Sequence, residues 1–125
     1  MVSTTLIAIS LLTSAHLPGA TKTTVKDLLQ NPKLDNHDVV VRGKIHGLSA
    51  RSNRESKPYF LFSLEDGKQS VHVFGYGKLP TEDTDNTIVN VTGKYARERK
   101  VGRSTYHNEI EVDVRNGRPE VSKAG

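Results

Sequence analysis

The chain has 125 residues, the length of one domain, and no cysteine, which excludes disulfides, thiolate metal sites and a cysteine nucleophile. An apolar fraction of 34% without tryptophan leaves the core to Val, Ile and Leu, residues that suit pleated sheets. The net charge is only +4, but it is unevenly placed: residues 42–57 and 94–103 together hold ten of the 18 Lys and Arg and only two of the 14 Asp and Glu, the electrostatic footprint of a polyanion partner.

No charged side chain precedes Lys22. Leu6 to Leu12 is an apolar run too short to span a bilayer, followed by the small residues Thr13, Ser14 and Ala15 and then Pro18, Gly19 and Ala20. This order predicts a signal peptide over 1–20, cleaved after Ala15 or Ala20, and an exported protein, periplasmic or secreted. The first residues carry no Lys or Arg, and if 1–20 is not a signal the expected place is the cytoplasm.

Thr24 before Val25-Lys-Asp-Leu-Leu-Gln predicts a short capped helix that ends at Asn31-Pro32 and plugs one end of the sheet structure. Val39 to Ile45 alternates, with 39, 41, 43 and 45 on one face and Val40, Arg42, Lys44 and His46 on the wet one. Its mid-strand Gly43 predicts a bend or bulge. Gly47 to Lys57 has no apolar period and reads as a loop with a basic tip, bearing Arg51, Arg54 and Lys57.

The second strand is Tyr59 to Leu64, with Phe60, Phe62 and Leu64 inward. An Asp66-Gly67 hairpin joins it to a third strand, Gln69 to Phe74, with Val71 and Val73 inward. Tyr59, Leu61, Ser63, His72 and Phe74 then face out. The acidic stretch holding Glu82, Asp83 and Asp85 reads as a loop. Thr87 to Tyr95, the fourth strand, repeats the Val-x-Val-x-Gly spacing of the first, so the two are twin coiled strands of one small barrel. Ala96 to Ser104 reads as a second basic loop, with Arg97, Arg99, Lys100 and Arg103. The fifth strand is Thr105 to Val114, with Ile110, Val112 and Val114 inward and Glu109, Glu111 and Asp113 outward; residues 115–125 are expected to fray.

Val39-x-Val41-x-Gly43-x-Ile45, Pro58-Tyr59-x-x-Phe62-x-Leu64-x-Asp66-Gly67, Val71-x-Val73-Phe74-x-x-Gly77 and Val89-x-Val91-x-Gly93-x-Tyr95 together resemble an OB-fold domain. The likeness is to bacterial single-domain proteins related to the tRNA-anticodon-binding and single-stranded-DNA-binding OB folds, and more weakly to exported bacterial OB-fold proteins. It spans 24–114 and implies an all-β, five-stranded Greek-key barrel with a short N-terminal helix. The chain lacks a clear helix between the third and fourth strands.

The resemblance places a ligand across the second and third strands, between the two basic loops. It implies a non-enzymatic module that binds single-stranded nucleic acid, DNA or RNA. Tyr59, His72 and Phe74 would meet bases, and Arg42, Lys44, Arg51, Arg54, Lys57, Arg97, Arg99, Lys100 and Arg103 would track phosphates. The alternative is an exported envelope or stress accessory protein that binds a protein, peptide or glycan on the same face. The five His are scattered, so neither a metal nor a cofactor is expected. No phosphate loop, nucleophile elbow or inward carboxylate cluster points to an enzyme.

Overall fold

Alternating apolar residues and one capped turn of helix organise this chain, and the computed structural model describes residues 19–124 of it. The predicted signal peptide falls almost wholly outside these described residues. Thr21–Thr23 forms β1, parallel to the start of β2, Asp38–Ser52. Thr24 then caps α1, Val25–Gln30, its hydroxyl accepting the Asp27 N–H at 3.1 Å. Val25 and Leu28, one turn apart, are both buried, and the helix packs against β3 (Pro58–Asp66) and β4 (Gln69–Tyr76). A 3-10 turn, Pro32–Leu34, stops it, with Leu34 buried.

β2 runs on through residues expected in a loop. Its first half pairs with β5 (Ile88–Val101), from Asp38 opposite Lys94 to Lys44 opposite Ile88, and its second half pairs with β3. β3 turns through Gly67-Lys68 into β4, the predicted hairpin. β4 lies parallel to β6 (Ser104–Val112), and β6 is antiparallel to β5. The pairings β2–β3–β4–β6–β5–β2 therefore form a closed circuit. Three shorter strands complete the fold: β7 (Val114–Arg115), β8 (Arg118–Pro119) and β9 (Val121–Lys123). The expected five strands are thus present as β2 to β6, but the described residues hold nine.

Inside the circuit, Val39, Val41 and Ile45 meet Phe60, Phe62, Leu64, Val71, Val73, Val89, Val91, Tyr95, Ile110 and Val112. Burying each such side chain is worth about 1.5–3 kcal/mol, so this set dominates stability. The twin glycines have a specific role. Gly43 lies where β2 passes from β5 to β3, and a Cβ there would sit 2.7 Å from Leu64 Cγ. Gly93 lies where β5 passes from β2 to β6, and a Cβ there would collide with the Glu111 carbonyl. Neither is a bulge. The register shift falls later, between His46 and Ser49, where Gly47 has φ 68°.

Four expectations need correcting. Val40, placed on the wet face, is buried. Val114, placed inward, is exposed, because β6 ends at Val112 and the chain turns into β7. The segment from Arg115 does not fray: β7 and β8 pair, and β9 adds to β5 with Val121 buried opposite Val91. The basic loops are mostly strand, since polar residues on a two-stranded extension need no apolar period. β2 keeps Arg51, β5 keeps Arg97, Arg99 and Lys100, and only residues 53–57 and 102–103 connect. No helix among the described residues is long and apolar enough to cross a membrane.

Candidate functional site

Residues directly opposite in a ladder share a face, so the register lays out the outer surface of β2, β3, β4 and β6 in rows. One row is Arg51–Tyr59–Tyr76. The next is Ser49–Leu61–Phe74–Glu111, and the third is His46–Ser63–His72–Glu109. His46 and Ser49 can both point outward only because the bulge between them shifts the parity of β2. Asp85 fixes that bulge. Its carboxylate accepts the Leu48 N–H at 2.8 Å and the Gly47 N–H at 3.1 Å, bonds that hold its pKa below the usual carboxylate value.

Three rings form a strip on this face. The Tyr59 and Phe74 centroids are 5.9 Å apart, and Phe74 meets Tyr76 edge-on at 4.9 Å. Tyr76 keeps 50% of its surface exposed. Arg99 lies over Phe74, its guanidinium carbon 5.5 Å from the ring centroid. Counting by twos from buried Tyr95 would point Arg99 inward. Asn108 breaks that count: it has φ 53°, the ladder omits the Arg97–Asn108 pair, and the Tyr95 hydroxyl donates to Asn108 Oδ1 at 2.7 Å. The β5–β6 arm beyond this kink swings Arg99 and Tyr106 across the rows.

Arg99 is held by two carboxylates. Its Nη1 donates to Glu111 Oε1 at 2.9 Å. Its Nε lies 3.1 Å from Glu109 Oε1, an ion pair that is not aligned as a hydrogen bond, so both atoms are buried without one. Glu109 faces outward as expected but is only 6% exposed, because the arm covers it. Burial pushes its pKa up; Arg99 and His72 pull it back, and Glu111 raises it further.

The predicted site residues separate into groups. Tyr59, His72, Phe74 and Arg51 share the outer face, and the Arg51 Nε donates to Ser49 Oγ at 2.9 Å. Arg54 and Lys57 sit in the adjoining connection, with Lys57 Nζ 3.9 Å from Glu55. Lys100 and Arg103 are exposed at the arm's tip. Arg99 reaches the face with its charge already matched. Arg97 lines a different cleft, with Asp35, Glu98 and His107, and its N–H donates to Asp35 Oδ1 at 2.9 Å. Arg42 and Lys44 line another cleft beside Thr24, Glu65 and Asp66, and so are not brought to the rings.

Tyr76, Tyr106 and Glu109 belong to the face and were missed as site residues. Alternation carried two residues past Phe74 would have found Tyr76. Among the described residues no cluster of three or more His, Asp or Glu could hold a metal.

No protein-family model matches the chain, and no curated protein is significantly similar to it in sequence. Solved structures do match. A chain in the crystal structure of yeast Stn1 and Ten1 is 16% identical with a TM-score of 0.56, over 91% of this chain and 69% of that one. The solution NMR structure of the OB domain of Ta0387 from Thermoplasma acidophilum is 14% identical with a TM-score of 0.51, over 85% of this chain and 89% of that one. At such identities the likeness concerns the fold alone, and by fold this chain is similar to OB domains.

Proposed function

We propose that the chain is a non-enzymatic OB-fold module that binds single-stranded nucleic acid across β3 and β4. The observation that carries this reading is the row Arg51–Tyr59–Tyr76 lying against Phe74, with Tyr76 half exposed. OB folds take oligonucleotides on this face, between the connections that here hold Arg54 and Arg103. Exposed rings stack bases of any sequence, and flanking cations follow the phosphates. Arg51, Arg54, Lys100 and Arg103 supply those cations, while Arg99 serves to pack Phe74.

The test is a titration of labelled oligo(dT) and oligo(U) at two salt concentrations. Binding that weakens as salt rises supports the proposal. No binding near about 10 µM protein at low salt, or binding indifferent to salt, overturns it.

A second reading is an exported accessory protein with a peptide or glycan ligand on the same face. It draws on Glu109 and Glu111, which put negative charge at the centre of the rows and would favour a ligand rich in donors. Binding indifferent to salt would favour this reading.

A further inference from the structure

We infer that the free edge of β2 and the cleft beside it form a docking slot for an extended peptide of a partner protein, one with an apolar side chain at its centre, an acidic residue two positions to one side and a basic residue two positions to the other. The slot lies apart from the ring strip. Ala50 and Phe60, opposite each other in the β2–β3 ladder, point to the other side of it from Arg51 and Tyr59.

The backbone bonds show which edge is free. Opposite residues of an antiparallel ladder alternate between pairs that exchange both backbone bonds and pairs that exchange none. The Pro58 carbonyl accepts the Gly77 N–H at 2.9 Å, so Pro58 turns its backbone polar group toward β4, and the Asn53 N–H donates to the Lys57 carbonyl at 2.9 Å. The bonded pairs between β2 and β3 are therefore Arg51–Tyr59 and Ser49–Leu61. Ala50 and Ser52 present their N–H and C=O groups to the opposite edge. Among the described residues β1 and β5 pair only with Asp38 to Lys44 of β2, so no strand covers that edge at Ala50 and Ser52.

Beside the edge lies a cleft of about 490 Å³, between β2 and the segment 77–83 that follows β4. Leu48, Ala50, Phe60, Leu79 and Pro80 give it apolar walls. A row of unpaired donors and acceptors next to an apolar pocket is what strand addition uses: the main chain supplies affinity and the pocket reads alternate side chains.

Charge gives the slot two unlike ends. Lys78, exposed, stands at the Ser52 end, because its neighbour Gly77 bonds to Pro58 and Pro58 lies opposite Ser52. Asp83 stands at the Leu48 end, two residues before Asp85, whose carboxylate holds the Leu48 and Gly47 N–H groups. Asp83 is 4% exposed, and burial raises its pKa, so a cation brought to it would favour its ionised form. Glu82, Asp83 and Asp85 at this end repel a phosphate chain, which favours a peptide over nucleic acid here. Leu48 to Ser52 spans roughly 13 Å at about 3.3 Å per residue, the length of a five-residue strand. The sequence Lys-Ser-Leu-Ser-Asp, in one direction or the other, places its three larger side chains on the cleft side.

The experiment uses the full chain, labelled with nitrogen-15, and two blocked peptides, Gly-Ser-Lys-Ser-Leu-Ser-Asp-Ser-Gly and its reverse. One of them should bind saturably below about 1 mM, shift the Ala50 and Ser52 amides and slow their hydrogen exchange about tenfold. Methylating a peptide nitrogen at Leu or at the adjacent Ser should weaken binding about tenfold at one of the two positions and little at the other, since alternate N–H groups face β2. Lys78→Glu should weaken the same peptide about tenfold, and exchanging the peptide Asp for Lys should recover the loss.

No saturable binding of either peptide by about 1 mM overturns the inference. So does binding that leaves the Ala50 and Ser52 amides unmoved, or that is equally sensitive to methylation at both nitrogens. If oligo(dT) rather than a peptide shifts those two amides, the slot belongs to nucleic acid and the inference also falls.

Discussion

Arg99 lies with its guanidinium carbon 5.5 Å from the Phe74 ring centroid, although the two residues belong to strands that are not neighbours. The contact exists because the β5–β6 arm folds back over β4 and β6, and Glu109 and Glu111 hold it there. Arg99→Ala should therefore loosen the arm and leave Glu109 buried without its counter-ion. A broken buried ion pair costs roughly 3–5 kcal/mol, but Arg99 keeps about a third of its surface in water, so about 1–2 kcal/mol is expected in urea unfolding.

The loss should depend on pH, with a fixed sign. The folded-state pKa of Glu109 is already above its ordinary 4.5, mainly through burial, and without Arg99 it rises further. A group with a raised folded pKa contributes stability below its unfolded value and loses that contribution as pH rises through the folded one. The gap between Arg99→Ala and the native chain should therefore open above the folded pKa of Glu109 and narrow below 4.5. A gap that stays constant across this window would show that Glu109 does not sense Arg99.

Asp85 makes the opposite prediction. Its pKa is lowered by the Leu48 and Gly47 N–H groups, so its contribution is present above the ordinary 3.8 and fades as pH falls through the lower folded value. Asp85→Ala should lower the melting temperature near neutral pH and speed amide exchange at Gly47 and Leu48. The penalty should shrink towards about pH 3. Unchanged exchange at those two amides would mean that the bulge holds without the clamp.

Gly93→Ala should be among the most damaging single changes in the chain. The added Cβ meets the Glu111 carbonyl, a backbone atom that cannot swing aside, and the expected cost is about 3 kcal/mol. Gly43→Ala faces Leu64 Cγ at 2.7 Å and the Glu65 carbonyl oxygen at 2.9 Å, a shallower overlap than at Gly93, and should cost less. Thermal melts of the two variants would rank them, and an equal ranking would show that the depth of the overlap does not set the cost.

Much of the fold was legible because its signals are local. Phe60, Phe62 and Leu64 alternate against Val71 and Val73, Asp66-Gly67 turns the hairpin, and Thr24 caps the helix, all within a few residues of one another. The twin glycines were visible too, Gly43 as a bend or bulge and the pair as the mark of two coiled strands. Their role is close approach at the points where β2 and β5 change partners, which depends on residues far along the chain.

The candidate site was half legible. Tyr59, His72 and Phe74 follow from parity, and Arg51 follows only once the bulge at Gly47 is known. Asn108 looks like any polar strand residue, yet its left-handed backbone turns Arg99 onto Phe74 and buries Glu109. Charge counting grouped Arg42, Lys44 and Arg97 with the others because composition records no direction. The closed circuit of strands then places Arg42 and Lys44 on one cleft and Arg97 on another, both apart from the rings.

That separation yields the prediction that tests the face most directly. If nucleic acid crosses β3 and β4, Tyr76→Ala should weaken oligo(dT) binding by about 1–3 kcal/mol, the worth of one stacked base, with little effect on stability because the ring is half exposed. Arg51→Ala, in the same row, should weaken binding and lower the salt slope by about one. Arg42→Ala and Lys44→Ala should leave both quantities near their native values, since they line a cleft apart from the rings. Phe74→Ala should cost stability as well as affinity, because it supports Tyr59, Tyr76 and Arg99 together. Should Arg42→Ala instead flatten the salt slope while Arg51→Ala leaves it steep, the nucleic acid runs along β2 and β5, and the ring strip is packing alone.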